Sequence, residues 1–110
     1  FNIAPDERDV HDPAVWNDDC ILTSTAERAA LRRLLALGLH DSFRLHHEDA
    51  GVFSWWDYRA AGFRRNLGLR IDLCLVSDAL RERCTGAEID REPRTWDRPS
   101  DHAPAWVQLG

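Results

Sequence analysis

The sequence predicts an α/β fold in which several strands form a sheet with a helix on one side, as in one half of a layered α/β sandwich. Three observations predict it. One segment alternates residues with a period of two, one long segment carries helix-start and helix-stop signals, and several short apolar segments are separated by polar loops. The chain has 110 residues, which is enough for one small domain or for part of a larger one. Residues 1–110 are therefore expected to belong to a single domain.

The clearest helix signal lies in "TSTAERAALRRLLALGLHD". Ser24 is followed three residues later by Glu27, which is the spacing of a capping box at a helix N-terminus. Gly38 is placed to end the helix, because glycine readily adopts the left-handed conformation found after a last helical turn. One face of this helix is apolar and is expected to pack on the sheet; it carries Leu31, Leu34 and Leu35.

The remaining elements are predicted to be short strands. The segment "LRIDLCLVS" (69–77) is the best strand, with residues 69, 71, 73 and 75 on one face and residues 70, 72, 74 and 76 on the other. An aromatic strand is expected within 52–58, a short helix over 78–83, a strand near 87–91 and a final strand from residue 105. Residues 1–20 and 59–68 are expected to be loops, the first of them following a strand that ends near Phe1.

Composition narrows the function classes. The net charge is −5, which argues against a protein that coats polyanions generally, so any nucleic acid would have to meet a local basic patch. All fourteen basic residues are arginine, whose guanidinium can bind phosphate in a bidentate manner. The three cysteines are scattered, which favours free thiols over a disulfide or metal framework. No apolar run approaches the roughly 20 residues of a membrane span, and the sequence lacks a signal-peptide pattern.

Asp72 is unusual because it lies in the middle of an apolar strand, where a carboxylate needs a partner. Arg70, on the same strand face, would make a structural ion pair. Alternatively, Asp72 accepts a hydrogen bond from an imidazole and fixes its orientation, and His102 at the start of the last strand is the obvious candidate. The adjacent Asp101 would then be available to bind a cation through oxygen, which is the ligand type that magnesium favours.

An arginine-rich loop flanked by aromatic residues is the second signal. Guanidinium groups beside flat rings suit the phosphates, sugars and bases of a nucleic acid. Trp55 and Trp56 point to opposite strand faces, so at least one of them is expected in the core. The stretch comprises Arg59, Arg64, Arg65 and Arg70 with Trp55, Trp56, Tyr58 and Phe63.

Several of these strings occur together in one known family. "SWWDYR", "GLRIDLCLVS" and "SDHAPAW" come in the order and spacing of the C-terminal part of exonuclease III-type abasic-site endonucleases. "FN" at the start resembles the end of that family's G-D-[FM]-N motif. The chain therefore resembles this family, a branch of the DNase I-like endonuclease/exonuclease/phosphatase superfamily, over essentially its whole length.

The resemblance implies specific roles. His102 is expected to contact the scissile phosphate, and Asp72 is expected to orient the His102 ring. Asn2 is expected to position the nucleophile. The metal, Mg²⁺ or Mn²⁺, is expected at Asp101, Asn2 and His102. The DNA-binding residues implied are the pocket walls Trp55, Leu69 and Ile71, which would receive a flipped-out abasic sugar, and the backbone contacts Arg59 and Arg70.

The resemblance also implies the fold and the activity. Residues 1–110 are expected to form the C-terminal half of a DNase I-like four-layer α/β sandwich, with one mainly antiparallel sheet and a packed helix. The N-terminal half of such a sandwich carries further active-site groups. The expected activity is base-excision repair of double-stranded DNA, as an abasic-site endonuclease and 3′→5′ exonuclease in the cytoplasm near the nucleoid. The chain alone is expected to be inactive. Two alternatives stay open, namely another phosphoesterase of the superfamily or a non-catalytic DNA-binding or interaction fragment.

Overall fold

The computed structural model describes residues 1–59 and 61–110 in full and residue 60 by its backbone. Within these residues the α-helices are α1 (Thr25–Leu35), α2 (Ser42–His46) and α3 (Asp78–Arg81). The strands are β1 (Leu39–Asp41), β2 (Trp55–Trp56), β3 (Gly68–Leu69), β4 (Leu75–Ser77), β5 (Cys84–Ile89) and β6 (Ala105–Leu109). Short 3-10 helices cover Glu7–Asp9, Arg59–Ala61 and Glu92–Thr95. The α/β class predicted from the sequence is confirmed.

The strands form antiparallel pairs, as predicted, but within the described part of the chain they make three two-stranded sheets instead of one continuous sheet. β1 pairs with β4, β2 with β3, and β5 with β6. Glycine at position 68 permits the close approach of β2 and β3, because a Cβ atom there would lie 2.6 Å from Nε1 of Trp56.

Helix α1 begins and ends as its sequence predicts. The Ser24 hydroxyl accepts a hydrogen bond from the amide of Glu27, and the Glu27 side chain accepts one from the Ser24 amide in return. Gly38 follows the helix with a φ of +97°. Only Leu31 among the α1 residues is fully buried, so the helix lies at the surface with one leucine anchored in the core.

The predicted strand 69–77 is interrupted. β3 ends at Leu69 and β4 begins at Leu75, so residues 70–74 lie outside regular strand. The amides of Ile71 and Asp72 both donate to the Ser54 hydroxyl, each at 3.0 Å, instead of to a neighbouring strand. This side-chain acceptor replaces the ladder of a strand and is the physical reason for the break.

The core is divided into small clusters. One contains Ala4, Val10, Leu69 and Ile71, with Trp16, Leu22 and Trp55 packed against it. Another contains Phe53, Trp56 and Ala103, with Phe63 and Ile89 at its margin. Of the two β2 residues, Trp55 packs against the first cluster and Trp56 belongs to the second, so the strand lies between them. No described helix is long and apolar enough to cross a membrane.

Candidate functional site

Residues 101–103 are hydrogen-bonded to Ser54 and to strand β2, and so they lie close to the residues that follow β3. The Trp56 amide donates to the Asp101 carbonyl at 3.1 Å, and the Ala103 amide donates to the Ser54 carbonyl at 2.7 Å. These bonds accompany an isolated antiparallel bridge between Trp55 and His102. Because the other edge of β2 pairs with β3, the side chains that follow β3 come close to His102.

Asp72 and His102 meet, as one of the two interpretations of Asp72 predicted. The His102 Nδ1 atom lies 2.8 Å from Oδ2 of Asp72. Both side chains are about one-third exposed, so Asp72 is half-buried and not in a closed core. Since the carboxylate accepts from Nδ1–H, the ring orientation is fixed and Nε2 is left for another partner.

Asp101 stands beside this pair. Its Oδ1 lies 3.9 Å from Nε2 of His102, and its Oδ2 accepts a hydrogen bond from the Trp55 indole at 3.0 Å. The indole therefore holds the carboxylate at the imidazole edge that Asp72 does not use. Trp55, predicted as a DNA-facing residue, orients an acidic group of the site in addition.

Asn2 lies near the same place through its backbone. Its amide donates to the Ile71 carbonyl at 2.9 Å, next to Asp72, and its φ of +55° is a left-handed conformation that asparagine tolerates better than most residues. A depression of about 440 Å³ lies next to the preceding residue, Phe1, and to Asp72 and His102. Its lining includes Phe1, Asp72, Cys74, Ser100 and His102.

Ser54 organises the site although sequence analysis did not single it out. It is fully buried, its hydroxyl accepts from the amides of Ile71 and Asp72, and its carbonyl accepts from the amide of Ala103. It therefore links the two segments that carry Asp72 and His102. The available signal was a small polar residue inside a predicted aromatic strand, which indicates a buried hydroxyl with backbone partners.

The prediction that Arg70 contacts DNA is wrong, because its side chain is 1% exposed. Its Nε donates to Asp9 at 2.7 Å and its two terminal nitrogens donate to both carboxylate oxygens of Asp41. Burial alone would lower the pKa of the Arg70 guanidinium, but the hydrogen bonds that it donates to Asp41 and Asp9 outweigh burial and raise that pKa. The alternative Arg70–Asp72 ion pair is likewise wrong.

The predicted pocket walls Leu69 and Ile71 are also corrected. Leu69 is 0% and Ile71 2% exposed, and both lie in a core cluster against which Trp16 and Trp55 pack. Trp16 meets Trp55 edge-on with ring centroids 6.2 Å apart. In this structure neither aliphatic side chain is exposed or lines the small cavity beside Trp55.

Trp55 and Arg59 instead share a small cavity of about 160 Å³ with Trp16 and Leu67. The Arg59 side chain is 88% exposed and donates through Nε and Nη2 to Asp57. This hydrogen bonding lowers the pKa of the Asp57 carboxyl to about 2. Both residues are accessible, so their predicted DNA contacts stay predictions that the geometry permits.

The metal-binding prediction concerns Asp101, Asn2 and His102. Among the described residues, no group of three or more His, Cys, Asp or Glu side chains could hold a metal ion. Asp101 and Asn2 offer oxygen atoms of the hard type that suits Mg²⁺, an ion that is commonly held by one or two carboxylates together with water. The metal site at Asp101, Asn2 and His102 therefore stays a prediction.

The arrangement of Asp72, His102 and Asp101 is of a kind that suits phosphoester hydrolysis. An imidazole oriented by a carboxylate, with a second acid at its other nitrogen, suits the stabilisation of charge on a phosphoryl group during hydrolysis. Residues 1–102 match the model of the Endonuclease/Exonuclease/phosphatase family. The chain belongs to this family.

Two bacterial relatives carry nuclease names. Exodeoxyribonuclease III of Haemophilus influenzae is 51% identical over 84 residues, which are 76% of this chain and 32% of the relative. An exodeoxyribonuclease of Bacillus subtilis is 39% identical over 105 residues, which are 94% of this chain and 40% of the relative. The chain thus spans about a third to two-fifths of the length of these proteins.

Solved structures give the same result for the fold. A 3′ phosphatase from Neisseria bound to a product DNA hairpin superposes on 100% of this chain and 42% of its own, with a TM-score of 0.96 and 44% identity. An AP endonuclease from Archaeoglobus fulgidus covers 98% of this chain and 42% of its own, with a TM-score of 0.92 and 34% identity. The predicted DNase I-like architecture is confirmed.

Proposed function

We propose that this chain is part of a DNA-repair nuclease that hydrolyses phosphodiester bonds at abasic sites and at 3′ ends. One observation carries the proposal: His102 donates to Asp72 while Asp101 lies 3.9 Å from its other ring nitrogen. The names of the relatives support the substrate class, since they comprise exodeoxyribonucleases, an AP endonuclease and a 3′ phosphatase.

The imidazole has the central role. Asp72 holds the tautomer in which Nδ1 carries the proton, so Nε2 is directed to the substrate. In its imidazolium form, with a proton on each ring nitrogen, His102 would donate from Nε2 to a non-bridging phosphoryl oxygen and stabilise the negative charge that grows there as water attacks. Asn2 would donate from its amide side chain to the same phosphoryl group.

A divalent metal would supply further stabilisation of negative charge. Asp101 and Asn2 are the residues of this chain that would hold it, through carboxylate and amide oxygens. We propose Mg²⁺, because an oxygen-only donor set suits this ion, with Mn²⁺ as the alternative. His102 has one nitrogen engaged by Asp72, and we assign it to the phosphate in preference to the metal.

Trp55 and Arg59 would meet the DNA. Arg59 is almost fully exposed and could exchange its Asp57 partner for a backbone phosphate. Trp55 lines the small cavity that it shares with Arg59, and its ring could pack against a deoxyribose that carries no base. Extrusion of an abasic nucleotide needs no base pair to be broken, which makes such a lesion easier to receive than a normal nucleotide.

We further propose that residues 1–110 form the C-terminal portion of one domain whose N-terminal portion completes the site. The described residues supply too few metal ligands by themselves, and the matched relatives are longer. Phe1, beside the depression, is 56% exposed and would pack against that portion. A repair enzyme acts where its DNA lies, so the proposed location is the cytoplasm near the nucleoid.

The test uses the full-length protein that contains this sequence, with an abasic duplex and a 3′-recessed duplex as substrates. We expect metal-dependent product formation by the unaltered protein and a decrease of kcat by about 10²- to 10⁴-fold for His102→Ala. The 110-residue chain alone should form no product above a protein-free control.

His40→Ala is a matched control, because His40 also pairs with an aspartate, Asp78, outside the site. It should keep the activity of the unaltered protein. Full activity in His102→Ala, or equal losses in both variants, would refute the assignment. DNA binding without product in the unaltered protein would favour a non-catalytic DNA-binding role, and hydrolysis restricted to phosphoinositides would favour a different phosphoesterase.

A further inference from the structure

The segment 97–104 carries Asp101 and His102 but contains no regular secondary structure. Its backbone is tied to β2 on one edge by the bonds of Trp56 and Ala103. A segment held only in this way could still shift its side chains relative to Asp72. Small displacements matter, because a catalytic group that is misplaced by about 1 Å can cost about 100-fold in rate. Further anchors of this segment are therefore of functional interest.

Arg94 is such an anchor. Its Nη1 donates to the Ser100 carbonyl at 2.8 Å, and the Ser100 hydroxyl accepts from the amide of His102 at 3.1 Å. Two hydrogen bonds thus connect the guanidinium to the backbone of His102. Arg94 is only 7% exposed, so water does not compete strongly for the donor.

Three aromatic rings lie within about 6 Å of the Arg94 guanidinium. Its guanidinium carbon lies 4.7 Å from the ring centroid of Phe63 and 5.7 Å from those of Trp56 and Tyr58. Such cation–π contacts stabilise a cation where water is excluded. Tyr58 belongs to the same arrangement, because its hydroxyl donates to the Pro99 carbonyl at 2.8 Å.

A buried cation in these surroundings is costly. No carboxylate within the described ranges 1–59 and 61–110 forms a salt bridge with Arg94, and its Nε is buried without a hydrogen-bond partner. An apolar side chain would fill the same space without this desolvation cost. A planar guanidinium, however, can stack on rings and donate to a carbonyl at the same time, which an ammonium does less well.

We propose that Arg94 is a positioning residue that fixes the distance and orientation of His102 relative to Asp72. The guanidinium stacks on the rings of Phe63, Trp56 and Tyr58 and, from that position, donates to the Ser100 carbonyl. The catalytic part of this inference rests on the proposed nuclease function. The positional part, that the His102 ring moves when Arg94 is changed, does not depend on it.

Arg91 provides a matched control. It packs against two of the same rings, with its guanidinium carbon 4.9 Å from the centroid of Phe63 and 5.5 Å from that of Trp56. It is exposed, and its side chain makes no hydrogen bond to segment 97–104 among the described residues. Replacing Arg91 therefore removes ring stacking but leaves the bond to Ser100 intact.

The experiment compares Arg94→Gln, Arg94→Lys and Arg91→Gln in the full-length protein. For Arg94→Gln we expect kcat to fall about 10- to 100-fold while KM changes less than about threefold, because positioning is lost and substrate contacts are kept. Arg94→Lys should recover part of kcat, because an ammonium can still donate to the Ser100 carbonyl. Arg91→Gln should match the unaltered protein.

A second readout is the NMR signal of the His102 ring in the same proteins. Arg94→Gln should shift or broaden the Nδ1 resonance, and Arg91→Gln should not. The inference is overturned by an unchanged ring signal, by unchanged kcat in Arg94→Gln, or by equal losses in Arg94→Gln and Arg91→Gln. If the unaltered protein is inactive, the nuclease proposal fails, while the ring signal still decides the positional role.

Discussion

Two groups of interacting side chains that contain aspartate lie on the two sides of residue 71, and they differ in burial and in the partner of the carboxylate. Asp72 pairs with His102 at the margin of a depression, with both side chains about one-third exposed. Arg70 pairs with Asp9 and Asp41 inside the protein, where Arg70 and Asp9 are completely buried. The two groups are separated by a single residue along the chain.

The difference shows what makes an ionic group functional. In the buried group the Arg70 guanidinium donates from all three nitrogens, and Asp9 also accepts from Arg44, so the atoms are saturated by protein. In the exposed group the Nε2 edge of His102 faces a carboxylate at 3.9 Å, which is too long for a hydrogen bond. We therefore assign a structural role to the first group and a chemical role to the second.

The largest expected effect comes from breaking the buried group. Arg70→Met leaves the carboxylates of Asp9 and Asp41 short of donors, and we expect it to lower the free energy of unfolding by about 3–5 kcal/mol. Urea denaturation followed by tryptophan fluorescence measures this change. Asp72→Asn is the counterpart, because it should lower stability by at most about 1 kcal/mol while abolishing most activity. Equal destabilisation by both variants would contradict the division of roles.

A smaller effect is expected at Ser54, which links the two segments that carry Asp72 and His102. Ser54→Ala leaves the amides of Ile71 and Asp72 without their common acceptor, and we expect a loss of about 1–3 kcal/mol in unfolding free energy. Ser100→Ala removes an exposed hydroxyl that accepts from one amide only, so its effect on stability should be clearly smaller. The same denaturation measurement compares them, and a larger loss for Ser100→Ala would contradict this ranking.

The smallest effect concerns Cys74, whose thiol interacts electrostatically with one aspartate of each group. Burial and the negative charges of Asp41 and Asp72 raise the pKa of its thiol above the ordinary value of 9.0. Because the thiolate is the reactive form, alkylation of Cys74 should reach half its maximal rate only above pH 9.0. Peptide mapping by mass spectrometry after iodoacetamide treatment gives this profile.

The two acidic variants divide the effect on Cys74. Asp41→Asn and Asp72→Asn should each move the alkylation midpoint to lower pH, because each removes a negative charge that raises the pKa of the Cys74 thiol. Asp57→Asn is the control and should leave the midpoint unchanged, because the Asp57 charge does not contribute to this pKa shift. A midpoint at or below pH 9.0 in the unaltered protein would show that burial and charge do not act on this thiol as described.

The sequence determined the local elements whose signals lie within a few residues. The capping box of Ser24 and Glu27 and the terminating Gly38 define α1, because both act through neighbouring backbone groups. The alternation at Trp55 and Trp56 predicted that at least one ring lies in the core, and the structure shows that it is Trp56. The need of Asp72 for a partner was also evident, since a carboxylate among apolar residues cannot stay alone.

The partner of each of these polar side chains, in contrast, depends on tertiary packing. Period-two alternation placed Arg70 and Asp72 on one strand face, but Ser54 interrupts that strand and separates their environments. Arg70 then reaches Asp9, 61 residues away, and His102 reaches Asp72, 30 residues away. Such pairings depend on how distant segments pack, because the energy of an ion pair is set by burial and geometry and not by residue type.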